Sequence, residues 1–306
     1  MMKFSVVIPC FNAAKTITGT IESLQAQCYP NWEAICVDDG STDPTWVQIR
    51  CMAAGDSRIR LYRNPGKGPS AARNFGALDI ADGDVIAFCD ADDEWAPSKL
   101  RELSMIFADP SVAGAYGQIA FFSQRPCDAR TLSTVPETDL SVDILMGENP
   151  VCTMSNMSVR RDVMQSAGGF DETMLHNEDL EWLIRLVAQG ARIVGMPMLQ
   201  TYYRRSTGGL STDLDAMEAG RERALQTAIA MGHRPSRRSH AIYHRYLARR
   251  ALRLGMGRTT ALRHALLGLG QSPRGFLSPV RRGALTLLGS ICAALIPRRF
   301  SRSLFS

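Results

Sequence analysis

Four short apolar runs in the first ninety residues, separated by stretches of helical period, limit this chain more than any other feature. They are Phe4-Ser5-Val6-Val7-Ile8-Pro9, Glu33-Ala34-Ile35-Cys36-Val37, Arg58-Ile59-Arg60-Leu61-Tyr62 and Val85-Ile86-Ala87-Phe88-Cys89. A continuous apolar run such as the last predicts a strand buried on both faces. Between the first two, Ile17, Ile21, Leu24 and Cys28 recur at the helical period, with Asn12 placed to cap that helix. Asp43-Pro44 offers a second helix start, and Ser70 to Leu78 reads as a third helix, with Gly83 a stop before the next strand. Strand and helix in strict alternation predict a doubly wound, mostly parallel sheet flanked by helices.

In such sheets ligands collect beyond the carboxyl ends of the strands. Three of these ends are polar here: Asn12, then Asp38-Asp39, then Asp90-Ala91-Asp92-Asp93-Glu94. Like charges crowded at the mouth of a buried strand raise one another's cost of ionisation. A hard divalent cation such as Mg²⁺ or Mn²⁺ relieves that cost, because it takes carboxylate oxygens and keeps water and phosphate as further ligands. Taken alone, the same residues also suit a solvated acidic turn. Gly66-Lys67-Gly68 is not a phosphate-binding P-loop, and no Gly-x-Gly-x-x-Gly follows the first strand, so dinucleotide and P-loop readings are weak.

The remaining chain continues the pattern less regularly. A helix from 101 leads to a strand over 113–122; 123–150 reads as a long polar loop with one short helix, and 154–159 as a strand. A short helix over 161–167 is stopped by Gly168-Gly169, and His176-Asn177-Glu178-Asp179 opens an amphipathic helix using Leu180, Leu183, Ile184 and Val187. A strand over 192–196 and a segment over 199–205 follow, and from about Asp213 the chain reads as helical. The eight cysteines are scattered, with no zinc-finger spacing, and read as small core residues of a reducing compartment. The run from Phe4 to Phe11 is too short for a signal peptide and reads as a strand.

Charge divides the chain in two. Of its 35 basic residues, 15 fall in the last 73 positions, all of them arginines and with no Asp or Glu among them. The first 233 residues hold the other 20 against all 30 acidic ones, a net of −10. The acidic part is expected to carry the chemistry and the basic part to meet something anionic. Few aromatics interleave the arginines, which argues against nucleic acid. The apolar run from Ala284 to Ile296 is bracketed by Arg281-Arg282 and Arg298-Arg299. It is shorter than the about 20 residues needed to span a bilayer and suits an interfacial helix on an anionic membrane, or an ordinary helical subdomain.

Five ordered stretches carry a resemblance. Ser5 to Asn12, Val37-Asp38-Asp39-Gly40-Ser41-Thr42-Asp43, Ala72-Arg73-Asn74-Phe75-Gly76, Asp90-Ala91-Asp92-Asp93, and Gly168-Gly169-Phe170-Asp171 with Glu178-Asp179 resemble glycosyltransferase family 2, over roughly residues 4 to 212. The resemblance implies a GT-A fold over 1–215, with a nucleotide-binding part at about 1–100 and an acceptor-binding part at about 101–215. A basic helical extension then occupies 216–306. It implies inversion at the sugar and a nucleoside-diphosphate sugar donor, UDP-sugar favoured, lying across the strand ends. Pro9 and Asn12 would line the nucleoside pocket, and Asp39, with Asp38, would accept from the base. Arg73 would reach the diphosphate or brace Asp90, and Asp90 would contact the ribose. Asp92 would ligate Mn²⁺ or Mg²⁺, with Asp93 sharing that role. Asp179 would be the catalytic base, with a pKa lowered by its place in the first helical turn. Glu178 would be structural or bind the acceptor, and Trp182 would lie in the core. The acceptor would be a saccharide or a lipid-linked saccharide, in cell-surface or exopolysaccharide synthesis on the cytoplasmic side of a membrane, with no nucleic acid. One departure stands out: the family's late His is missing from Tyr202 to Ser211, so Arg204 or Arg205 would neutralise phosphate instead, or the ion would have one protein ligand fewer. Two rival readings are a sugar nucleotidyltransferase, for which Pro9-Cys10-Phe11-Asn12 is the wrong loop, and a non-catalytic sugar-nucleotide or nucleic-acid binding protein.

Overall fold

The computed structural model describes residues 1–205, 213–256 and 259–295. They divide into two compact units, Met1–Leu140 with Pro150–Thr207, and Ser141–Asn149 with Gly208–Ser306.

The first unit is built on one sheet. Its strands are β1 Phe4–Cys10, β2 Trp32–Asp38, β3 Ile59–Arg63, β4 Val85–Phe88, β5 Glu94–Trp95, β6 Gly114–Phe122, β7 Thr131–Leu132, β8 Ser158–Arg160 and β9 Ile193–Arg204. Their order is β3-β2-β1-β4-β8-β6-β9-β5, with β7 beside β6. The first four run parallel, as the strand–helix alternation requires. Beyond β4 the short strand β8 enters antiparallel between β4 and β6, while β6 and β9 are again parallel. The register sets Cys10 against Asp38 and Val7 against Phe88, so the carboxyl ends of β1, β2 and β4 share one edge.

Both faces of β1, β2 and β4 are buried, while the edge strand β3 is not. Val6 and Ile8 join Ile17, Ile21 and Leu24 in one core cluster. Val7, on the opposite face, meets Gly76, where a Cβ would stand 2.5 Å from Val7 Cγ1. Only a glycine lets that helical stretch lie so close to the sheet.

Three local expectations change. Asn12 does not cap the first helix, Ile17–Gln25, which starts after Thr16. It takes positive φ, and its Oδ1 accepts from the Thr42 N–H at 2.9 Å, tying the end of β1 to the loop after β2. The run 154–159 is not one strand: Thr153 Oγ1 accepts from the Ser155 N–H and turns Met154–Asn156 into a 3₁₀ turn before β8. The segments 192–196 and 199–205 are one strand, β9. Pro197 has no N–H for the ladder, and an irregular register between Tyr116 and Ile119 accommodates it.

The second unit is helical: Val142–Gly147, Leu214–Ala230, Arg237–Leu254, Thr260–Gln271, Pro273–Leu277 and Val280–Leu295. Asp213 and Ser236 accept from the N–H groups of Ala216 and Ser239, capping the two longest. Ala241, Ala248 and Ala265 pack around fully buried Phe276, their small side chains leaving room for its ring between the helices. Glu148 pairs with both Arg245 and Arg282, at 3.2 and 3.1 Å. Among the described residues no helix is long and apolar enough to cross a membrane. Arg298-Arg299 and Ile296 lie outside them, as do residues 206–212 of the late Tyr-Arg stretch. Cys10, Cys36 and Cys89 are buried as expected, whereas Cys28, Cys51, Cys127, Cys152 and Cys292 are exposed.

Candidate active site

The site is assembled where β1, β2 and β4 end. β2 stops at Asp38, whose carboxylate is 1% exposed and bonded to Arg63 and to the turn N–H groups of Gly40 and Ser41. Gly40 has φ +84°, a conformation costly for other residues, and this lets the turn wrap around the carboxylate. Asp39 faces the other way. Its Oδ1 accepts from Asn64 at 2.7 Å and its Oδ2 from the Gly68 N–H at 3.0 Å, with Lys67 at 3.3 Å. Asp38 holds the turn through Oδ2 alone, while Asp39 lies nearer the rim with both of its oxygens engaged. Pro9, on β1 opposite Val37, and Asn12 border the same edge.

The helix Gly68–Asn74 joins this corner to the next. Its first N–H meets Asp39, and its second-last residue, buried Arg73, donates to Asp90 Oδ1 at 2.7 Å and to Glu178 Oε1 at 3.2 Å. Arg73 thus braces two carboxylates. Burial works against its charge, but Asp90 and Glu178 outweigh that and hold its pKa above the usual guanidinium value. Asn74 locks a second contact: its Oδ1 accepts from the Phe170 N–H at 2.7 Å and its amide donates to the Phe170 carbonyl at 2.9 Å. Gly169 leaves room for that amide, which a Cβ would strike. Phe170 in turn packs on Phe88 and Trp182, ring centroids 5.4 and 4.7 Å away, with Trp182 in the core as expected. The strand leading to Asp90 and the helix opening with Glu178 and Asp179, Glu178–Ala188, are thus held together by packing as well as charge.

The acidic loop is held from several sides. Asp90 accepts from Thr153 Oγ1 at 3.1 Å, and its N–H donates to Ser155 Oγ at 2.9 Å. Asp93, expected to share the metal role, is fully buried, and its Oδ1 accepts from the Arg204 N–H at 2.9 Å, leaving Asp92 as the more open of the two. Arg204, one of the two arginines offered for the phosphates, donates to the Asp92 carbonyl at 2.9 Å and to Glu94 at 3.1 Å. Arg205 reaches Ser123 Oγ at 3.3 Å. Beneath the loop, fully buried Lys99 donates to the Ser155 carbonyl at 2.8 Å and Thr201 Oγ1 at 3.1 Å, its pKa pulled down to about 7 by burial. Thr153, Ser155 and Lys99 come from stretches without a motif, so nothing in the sequence marks them.

The electrostatics differ from expectation at one position. Asp179 is not held below the carboxylate range by its helix start. Burial, followed by Glu178 next to it, pushes its pKa up to about 7. Glu178 itself spends an oxygen on Arg73, so a bracing role is what the geometry gives it. Burial and then Asp90 raise Asp92 to about 6, and burial with Asp92 and Asp90 raises Asp93 well above its ordinary value. A carboxylate cluster that resists ionisation, made of hard oxygen donors, fits a divalent ion of the Mg²⁺ or Mn²⁺ class. Asp92 would hold it, with Asp90 beside it.

Known proteins resemble this chain in sequence and in fold. The chain is 40% identical over 115 residues to WfgD of Escherichia coli, a UDP-Glc:alpha-D-GlcNAc-diphosphoundecaprenol beta-1,3-glucosyltransferase; the match spans 37% of this chain and 44% of WfgD. The fold matches S. aureus TarS 1-349 in complex with UDP-GlcNAc at a TM-score of 0.62 and 19% identity, covering 99% of this chain and 88% of that one. It also matches the mannosyltransferase PcManGT of Pyrobaculum calidifontis, in complex with GDP-Man and Mn²⁺, at 0.57 and 20%, covering 98% and 88%. Both place the fold among GT-A-like structures. The sequence profile of glycosyl transferase family 2 covers residues 5–168, more than half the chain and four of the five motif stretches in full, and by that match this protein belongs to glycosyl transferase family 2.

Proposed function

We propose that this glycosyltransferase is metal-dependent and inverting, and moves a sugar from a nucleoside-diphosphate sugar, a UDP-sugar by preference, to a saccharide or lipid-linked acceptor for a surface or exported polysaccharide. The observation that carries the reading is Arg73. By bonding both Asp90 and Glu178 it sets the acidic loop beside Asp179, a carboxylate with a pKa near 7. WfgD takes UDP-Glc to a diphosphoundecaprenol-linked sugar, TarS binds UDP-GlcNAc and PcManGT holds Mn²⁺ with its nucleotide sugar, and these likenesses support donor, ion and acceptor class.

The donor nucleoside lies along Pro9, Asn12 and Asp39, with its ribose at Asp90. A divalent ion on Asp92 supplies Lewis-acid neutralisation of the diphosphate when bound. Asp179 takes the proton from the acceptor hydroxyl as that oxygen bonds to the anomeric carbon. The carbon–oxygen bond to phosphate breaks with its electron pair, and the nucleoside diphosphate leaves from the opposite face, inverting the centre. A base with a pKa near the working pH is both available and strong enough for this step.

The catalytic part occupies about 1–215 and the basic extension 216–306. The helix Val280–Leu295 exposes Leu285, Leu288 and Leu295 along one side, in a stretch rich in arginine, which suits the inner, anionic face of the plasma membrane and an acceptor carried on lipid.

A panel of nucleotide sugars assayed with Mn²⁺ or Mg²⁺ tests the reaction. Transfer should need the ion, fail in Asp92→Ala and Asp179→Asn, and give a product of inverted anomeric configuration by NMR. A retained configuration, or full activity in chelator, would overturn the reading.

A further inference from the structure

The helical unit contains a cluster that the glycosyltransferase chemistry does not use. Glu218, His244 and His264 sit on three different helices, Leu214–Ala230, Arg237–Leu254 and Thr260–Gln271. Their ligand atoms all lie within 4.8 Å of one another. His244 Nδ1 and His264 Nδ1 are 3.4 Å apart, and Glu218 Oε1 is 3.9 Å from His264 Nδ1. The imidazole rings lie 5.6 Å apart between centroids and 29° between planes.

We propose that Glu218, His244 and His264 bind one divalent transition ion of the Zn²⁺ class, which staples the three helices together. Two nitrogens each about 2.1 Å from a four-coordinate ion stand about 3.4 Å apart, which is the spacing found. A direct N–H···N bond is the competing account, but 3.4 Å is long for one, against roughly 2.7–3.2 Å for an N–H···O bond. Two imidazoles and a carboxylate select an ion of intermediate softness rather than Mg²⁺ or Ca²⁺, so this site and the acidic loop call for different metals. Three protein ligands leave a fourth position for water.

His264 is buried within the cluster, and Glu218 and His244 are half-buried beside it, so the three ligand atoms meet away from bulk water.

The test uses the full, untagged chain stripped of metal. Zn²⁺ titrated against a chromophoric chelator should bind one equivalent to the wild type and to Asp92→Ala, which lacks the principal carboxylate of the other site. Affinity should fall by more than roughly 100-fold in His244→Gln and in His264→Gln, since losing a direct ligand exceeds the loss of an outer partner. Co²⁺ in place of Zn²⁺ should give the visible absorption of a four-coordinate ion in the wild type, absent in both variants. Should either variant unfold, the wild type still decides: its melting temperature should rise with Zn²⁺ and not with Mg²⁺. Zn²⁺ binding unaltered in folded variants, or no Zn²⁺-dependent rise in the wild type, would leave only a histidine pair and overturn the proposal. None of these outcomes bears on the glycosyltransferase reading.

Discussion

The two units differ in what meets their buried cations. In the sheet unit the arginines beside the acidic loop meet carboxylates: Arg73 meets Asp90 and Glu178, and Arg204 meets Glu94 as well as the Asp92 carbonyl, while fully buried Lys99 rests on the Ser155 carbonyl and Thr201. In the helical unit carboxylates are scarce, and buried arginines rest on carbonyls and rings. Arg221 donates to the Met146 carbonyl at 2.7 Å and lies 3.9 Å over Tyr243, while Arg245 donates to the carbonyls of Phe276 and Ser278 and shares its one carboxylate, Glu148, with Arg282. Burial pulls both arginines' pKa values down, whereas Arg73's is raised. A network of opposite charges fixes positions to within a hydrogen bond and can serve chemistry. A set of carbonyl-bound cations fixes packing and leaves the remaining arginines to the surface, where they can meet an anion.

Perturbing each network should separate these roles, and the largest effect is expected at the base. Asp179→Asn should lower kcat by about 10²–10⁴-fold while leaving nucleotide affinity, measured by calorimetry, nearly unchanged. In the wild type kcat/KM should rise with pH through about 7, because Asp179 must lose its proton to act and its pKa is raised, not lowered. A limb rising through pH 4 would place the base elsewhere. Next comes Arg73→Ala, which strands two partly buried carboxylates. Equilibrium unfolding in urea should show a loss of about 3 kcal/mol at neutral pH, the lower end for a broken buried pair because Asp90 is partly exposed. In the same denaturation Trp182→Ala should cost a similar about 3–5 kcal/mol through its cavity but leave the pH limb in place. The smallest effect belongs to the helical unit. Glu148→Gln removes the carboxylate shared by Arg245 and Arg282, and since Glu148 and Arg282 both reach solvent, a loss of about 1 kcal/mol is expected. A loss as large as at Arg73 would show that the helical unit also depends on paired charge.

What could be read from sequence follows the same division. Asn12, Asp38-Asp39 and Asp90 to Asp93 were visible because a buried parallel strand leaves an unbroken apolar run and its ligand edge is where that run stops. The partners that hold those residues were not. Ser155 and Thr153 lie in a turn that imitates a strand in composition, and Lys99 is a lysine whose burial nothing local announces. The raised pKa of Asp179 was misread for a related reason. Helix position is local and legible, whereas burial and contact with distant groups are not, and here burial wins. In the helical unit only composition spoke. Ser141–Asn149 joins the later helices through Glu148 with Arg245 and Arg282, 97 and 134 residues on, and through the Met146 carbonyl with Arg221, pairings that no periodicity encodes.

The guanidinium of Arg73 has two hands on two different carboxylates, and it also acts on the charge of Asp179. A ligand that draws on Asp90 should therefore change how firmly Arg73 holds Glu178, and with it how tightly Asp179 keeps its proton. Titrations of Asp179 with and without a nucleotide sugar should then read two different values for the same residue.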